Sequence, residues 1–200
     1  MEELYLGCMI FVQALVTFAT RSTFGFWGTV VWTRLVHNMT DYLLEQLSLF
    51  QDFSSEQLDL LRKLFNPCFQ SVGTLLFEQG APAEFLYLVV EGEVLIQFKP
   101  DDGPPLTVTQ VERNGVVGWS AALGRPVYTS SAECESDCKL LRVSSEELRQ
   151  LYANDPDTGK KLLERLAAVI AKRLRNTHHH VVEMLEQGLL VDMNKSIPAT

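Results

Sequence analysis

The chain is short of positive charge and cysteine, and it lacks the short motifs that mark common catalytic centres. Its 17 lysines and arginines are outnumbered by 25 acidic residues, for a net charge of −8. A nucleic-acid surface needs clustered cations to neutralise phosphates, so this balance argues against DNA or RNA as a principal partner. The densest run of cations (Lys160, Lys161, Arg165, Lys172, Arg173 and Arg175) spreads around a helix and reads as solvated surface. The four cysteines, Cys8, Cys68, Cys134 and Cys138, form no C-x-x-C pair and are too few for a disulfide scaffold. Reduced thiols in a cytoplasmic protein are the expectation. The Cys134/Cys138 spacing suggests redox sensing, but small buried apolar cysteines on strands fit it better. There is no G-x-S-x-G elbow, no H-E-x-x-H and no P-loop. Carboxylates are plentiful without a marked pair, so the chain does not read as an enzyme.

What is present is globular. Of 200 residues 46% are apolar and 21% charged, enough for one ordinary domain with appendages. Residues 1–38 differ from the rest. Leu4 to Thr20 is a run of 17 uncharged residues bracketed by Glu2, Glu3 and Arg21, and Ser22 to Thr33 is a second uncharged stretch. A membrane helix needs about 20 apolar residues, with a lower limit near 17. The acidic leading segment argues against a secretory signal. Three readings stay open for this extension: a membrane anchor making its contact through residues 4–33, an apolar segment packed on the domain or a partner, or a non-native upstream extension ahead of Met39.

From Asp41 the pattern becomes regular. Leu43, Leu44, Leu47, Leu49, Phe50 and Phe53 form an apolar cluster. Ser54 with Gln57 is a capping box opening a helix that carries Leu58, Leu60, Leu61 and Leu64, and Asn66-Pro67 stops it. Strands are predicted near 69–78, 85–91 and 93–99, with Glu91-Gly92 as a tight hairpin turn. Leu106 and Val108 alternate with Thr107 and Thr109, and further strands are predicted at 129–135 and 138–143. Ser144 with Glu147 caps another helix, broken at Asn154–Pro156. A longer helix follows over 157–187, with Leu163, Ala167, Ile170, Leu174, Val181 and Met184 at alternating spacings of four and three once Thr177 fills the gap between Leu174 and Val181. That seam predicts a homodimer, and an ordinary amphipathic helix on the barrel is the alternative. Residues 188–200 read as a flexible tail. The fold class is α+β: an antiparallel β-roll flanked by N-terminal helices and a long C-terminal helix, within one domain over 39–187.

The glycines at Gly73, Gly80 and Gly92, the run Phe77-Glu78-Gln79-Gly80, and Tyr87 through Gly92 with Val94 resemble the start of a cyclic-nucleotide-binding domain of the catabolite-activator type. The resemblance continues to about residue 185. It implies a cyclic nucleotide (cyclic AMP or cyclic GMP) or another small anionic effector held inside the roll. It also implies pairing through the long helix. In the family the phosphate meets backbone N–H groups and an arginine, and a glutamate grips the ribose.

On this sequence Gly118 matches the cassette glycine, and Ser120, Ala121 and Ala122 keep its small turn. Trp119 stands where the glutamate is expected, and Tyr128 or Thr129 where the arginine is expected. Arg125 lies nearby behind the stiff Pro126. Losing two charged hydrogen bonds of about 1.5–3 kcal/mol each weakens cyclic-nucleotide binding by several orders of magnitude. Thr129, Ser130 and Ser131 still offer hydroxyls. The alternatives are an altered effector site and an unliganded barrel whose hole Trp119 fills. Thr177 and His178 fall where the family's long helix faces the base. His178, His179 and His180 point about 100° apart and cannot converge on one ion. Transcription factors of this type continue into a helix-turn-helix domain, for which the residues after the long helix are too few. The expectation is a regulatory sensing module. The competing reading is a degenerate roll used for protein or membrane attachment.

Overall fold

The computed structural model describes residues 39–195 except residue 102, with side chains described through residue 175. The apolar extension over 1–38, with its membrane reading, and residues 196–200 lie outside the described residues. Among the described residues no helix is long and apolar enough to cross a membrane.

The order begins with helix over 39–45 (α1) and a short 3₁₀ turn, Ser48–Phe50. Helix α2 follows (Ser55–Leu64), then strands β1 (Asn66–Gln70), β2 (Leu75–Phe77), β3 (Phe85–Glu91), β4 (Val94–Phe98), β5 (Leu106–Val111) and β6 (Val116–Val117). Short helix α3 (Trp119–Ala122) precedes β7 (Ser131–Cys134) and β8 (Cys138–Ser144), and the chain closes with α4 (Ser145–Asn154) and α5 (Pro156–Lys195). Two antiparallel sheets, ordered β1-β8-β3-β6 and β2-β7-β4-β5, form the walls of a roll. The α+β class and the roll expected from the sequence are both found.

Strand β3 explains how the layers meet. Successive side chains on a strand point to opposite faces. Leu86, Leu88 and Val90 join one core with Leu44, Leu47, Phe50, Phe65, Leu148 and Leu162 from the helices. Tyr87 and Val89 join a second core inside the roll, with Phe77, Ile96, Tyr128, Ala132 and Leu140. A strand buried on both faces carries an unbroken apolar run, as Leu86 to Val90 does. The helical layer is also tied to the sheet by a polar contact. Asn114, in the left-handed region at φ 66°, accepts from Ser48 N at 2.8 Å and Ser48 Oγ at 3.1 Å.

Both capping boxes form: Ser54 with Gln57, and Ser144 with Glu147. Other boundaries differ from the sequence reading. The strand expected over 69–78 is two strands in different sheets, split by a turn at Gly73. Asn66-Pro67 follows the end of α2 at Leu64 as expected, and both residues also open β1. β1 is an edge strand, where a missing N–H leaves no ladder bond unmade. Glu91-Gly92 is not a hairpin, because β3 and β4 belong to opposite sheets and Gly92 carries the chain across. A side chain at Gly92 would meet the Asp137 carbonyl at 2.5 Å. The two-residue strand β6 was not foreseen. Helix α5 continues past 187 to Lys195, so 188–195 are helical rather than a tail. Cys68, Cys134 and Cys138 are free and buried, and burial raises the Cys134 thiol to about 12, which suits the structural reading over the redox one.

Candidate functional site

The inside of the roll is where the cassette Gly118–Ser130 meets β2, β4 and α5. Gly118 precedes α3 at φ 75°, a conformation glycine adopts without a Cβ penalty. A Cβ there would also stand 2.6 Å from the Phe85 carbonyl, 3.2 Å from the Phe77 ring and 3.3 Å from the Tyr128 ring. Gly118 therefore lets the cassette backbone lie directly on the roll wall.

Tyr128 occupies the middle of that wall. It is buried, and its ring stacks on Phe77 with centroids 3.7 Å apart and planes 13° from parallel. Its hydroxyl donates to the Phe85 carbonyl and accepts from the Phe85 N–H, both at 2.8 Å. The phenol thus takes the place of two backbone partners on β3 while its ring closes the cavity. The space left among Phe77, Gly118, Trp119, Tyr128, Ser130 and Arg173 is only about 10 Å³. That is close to the least volume that holds one water.

Trp119 does not fill the hole. It packs against the helical core, and lies between the small roll cavity and a second space of about 260 Å³. This second space is apolar, with Leu123, Leu163, Ala167, Ile170 and Leu174 on its walls. Four of those five belong to the seam read along α5, and Leu123 and Leu174 are each 55% exposed.

The other sequence candidates divide. Ser120, Thr129 and Ser130 line the roll cavity, with Thr129 exposed and Ser130 half-buried. Ala121 is buried in the roll core and lies off the cavity wall. Arg125 is exposed and outside the cavity, so it does not swing in to replace the cassette arginine. Ser131 Oγ accepts the Gln79 N–H at 2.9 Å, which holds the cassette to the turn after β2. Thr177 and His178 lie on α5 beyond the described side chains.

The residue missed by the sequence reading is Arg173. It is the one charged side chain on the cavity wall among the described residues. Its Nη1 donates to the Val116 carbonyl at 3.1 Å, and burial lowers its pKa. The signal was available in the spacing. Arg173 lies three residues after Ile170 and four before Thr177, so all three share a helix face.

Burial here has a pH consequence. Desolvation, with a smaller contribution from Tyr128, raises Tyr87 from 10.0 to about 12. Desolvation alone raises Tyr152 from 10.0 to about 12, and its hydroxyl is buried without a hydrogen-bond partner. An unfolded tyrosine ionises near pH 10, whereas the folded one holds its proton until about 12. This stabilisation is fully present below pH 10 and is lost as pH rises through 12. The expected loss is on the order of 2–3 kcal/mol per tyrosine. Urea midpoints compared at pH 8 and pH 11.5 read it, and an unchanged midpoint contradicts it.

The profile of the family described as cyclic nucleotide-binding domain matches residues 71–155. A CRP-like cAMP-activated global transcriptional regulator of Mycobacterium tuberculosis is 25% identical over 145 residues, covering 72% of this chain and 63% of the relative. The cAMP-activated global transcriptional regulator CRP of Pasteurella multocida is 32% identical over 107 residues, covering 53% of this chain and 49% of the relative. The chain thus spans 63% and 49% of the length of these two relatives. A cyclic nucleotide-binding domain from Methylobacillus flagellatus has the same fold, with a TM-score of 0.65 at 23% identity, over 74% of this chain and 85% of that one. Fold and match together place residues 71–155 in the cyclic nucleotide-binding domain family.

Proposed function

We propose that this chain is a regulatory ligand-sensing module whose roll has changed its effector chemistry. The observation that carries this is the closed cassette: Tyr128, near where the family's arginine is expected, stacks on Phe77 and leaves a space of only about 10 Å³. Trp119, turned to the helical core, cannot grip a ribose as a glutamate would. Cyclic AMP or cyclic GMP, if bound, binds weakly, and a smaller anion fits the remaining hydroxyls better. Binding requires the cassette or α5 to move. The effector must therefore favour one helix position over the other, and that difference is the signal. Pairing of two copies through α5 belongs to this reading, supported by the exposed Leu123 and Leu174 beside the apolar groove. No catalytic step is assigned, and DNA is not proposed as a partner.

The test is a titration of the full chain with cyclic AMP, cyclic GMP and inorganic phosphate. Tryptophan fluorescence, melting temperature and sedimentation are followed. A rise in melting temperature with at least one probe is expected at millimolar concentration. A flat response to all three ends the sensing reading. The second reading, a roll that attaches to a protein or membrane without an effector, rests on the uncharged stretches over 4–33. It predicts that the full chain sediments with lipid vesicles and that a chain beginning at Met39 does not.

A further inference from the structure

Within the cassette, residues 123–127 are all exposed. The side chain that ends this stretch, Tyr128, is only 4% exposed. We infer that the Tyr128 hydroxyl is a latch: bonded to Phe85, it holds the cassette shut on the roll with no ligand present. The latch is a property of the folded chain alone and does not rest on the effector reading above.

Strand pairing explains why Phe85 can receive it. β6 pairs with β3 only at Tyr87–Val117 and Leu88–Val116. Two residues further in this register Phe85 would face Trp119, but the left-handed turn at Gly118 has already sent the chain into α3. The Val89 N–H donates to the Gly115 carbonyl at 3.0 Å on this side of β3. Alternate residues of a strand present their backbone groups to the same neighbour, so Phe85 presents its own here too. With β6 ended, the Tyr128 hydroxyl accepts from the Phe85 N–H and donates to its carbonyl, both at 2.8 Å.

The backbone around the latch is zipped to the turn after β2. The Tyr128 N–H donates to the Ala81 carbonyl and the Gly80 N–H to the Tyr128 carbonyl, both at 2.9 Å. The Ala83 N–H donates to the Pro126 carbonyl at 3.0 Å. Both ends of the cassette therefore converge on Phe85, Gly118 by close approach and Tyr128 by its hydroxyl. Lifting the exposed loop from the roll requires that hydroxyl to leave. The closed cassette is then the resting state, set by the chain rather than by a bound molecule. Any molecule that enters the roll finds its site only in the unlatched fraction, and its apparent affinity falls by that fraction.

The experiment is amide hydrogen exchange by NMR at low urea concentrations, on the full chain and its Tyr128→Phe variant, without ligand. Tyr128→Phe keeps the ring and removes the latch. The amides of Gly80, Ala83 and residue 128 keep their backbone acceptors in the variant, so they exchange faster only if the cassette opens. A local opening exposes little surface and depends weakly on urea, whereas opening of the whole domain depends on it steeply. The Leu140 and Leu141 amides of β8, a buried inner strand, mark the steep limit. In the parent the three cassette amides are expected to follow a shallow dependence. In Tyr128→Phe the shallow dependence should persist with exchange roughly two- to tenfold faster, the factor for a lost neutral hydrogen bond. Cassette amides that follow the β8 line in both proteins show that the cassette opens only with the whole domain, which overturns the latch. An unchanged shallow rate in Tyr128→Phe overturns it as well.

Discussion

Replacing Tyr128 by alanine is expected to lower the unfolding free energy by about 3–5 kcal/mol, the range for truncating a buried aromatic ring. The ring is stacked on Phe77 at 3.7 Å and stands against Gly118, so nothing adjacent is positioned to collapse into the gap. Part of the loss comes from the hydroxyl, which both donates to and accepts from Phe85. Tyr128→Phe isolates that part and should cost about 1 kcal/mol. The alanine variant should also acquire a property the parent lacks. An apolar cavity the size of the lost ring binds small aromatic molecules, so phenol should raise its melting temperature and leave that of the parent unchanged. Urea unfolding with and without phenol reads both effects. A Tyr128→Ala loss below about 1 kcal/mol would show that the ring does not hold the roll closed.

The fold was legible in this sequence wherever the decisive interactions are local. Ser54 and Ser144 each place a hydroxyl three residues before a Gln or Glu, and both helix starts lie as expected. The unbroken apolar run ahead of Gly92 likewise gave β3, and the alternation of Leu106 and Val108 with Thr107 and Thr109 gave β5. What escaped depends on residues far apart in sequence. Gly92 has the same local chemistry in a hairpin as in a crossing between sheets, and only the pairing of β3 with β8 and of β4 with β7 decides which. The site was legible in outline and misread in detail for a similar reason. Trp119 and Tyr128 were both visible as replacements for charged groups. Which of them turns into the roll depends on the left-handed turn at Gly118, which sends Trp119 towards the helices. Arg173 was counted among surface cations because Lys160, Lys161, Arg165, Lys172, Arg173 and Arg175 spread around the helix, and Lys172 and Arg175 are indeed exposed. Its own direction follows from how α5 lies on the sheet, with Leu162 and Leu166 buried beneath it.

That turn makes Gly118 the second position where one substitution should have a large effect. Gly118→Ala is expected to cost about 2–6 kcal/mol, combining left-handed backbone strain of about 1–3 with overpacking of about 1–3 kcal/mol. The strain follows from φ 75°. The overpacking follows from a Cβ 2.6 Å from the Phe85 carbonyl, a backbone atom fixed by strand pairing and by the Tyr128 hydroxyl. Gly73 provides the control. It has nearly the same backbone, φ 77°, but nothing within 4 Å of the added carbon, so Gly73→Ala should show only the conformational cost of about 1–2 kcal/mol. The difference between the two, read from urea midpoints at a common slope, measures how closely the cassette lies on the roll. Equal losses would mean that the cassette stands off the Phe85 carbonyl. Ligand-sized space would then already exist behind Gly118, and the weak nucleotide binding proposed above would have to rest on the missing charges rather than on a closed wall.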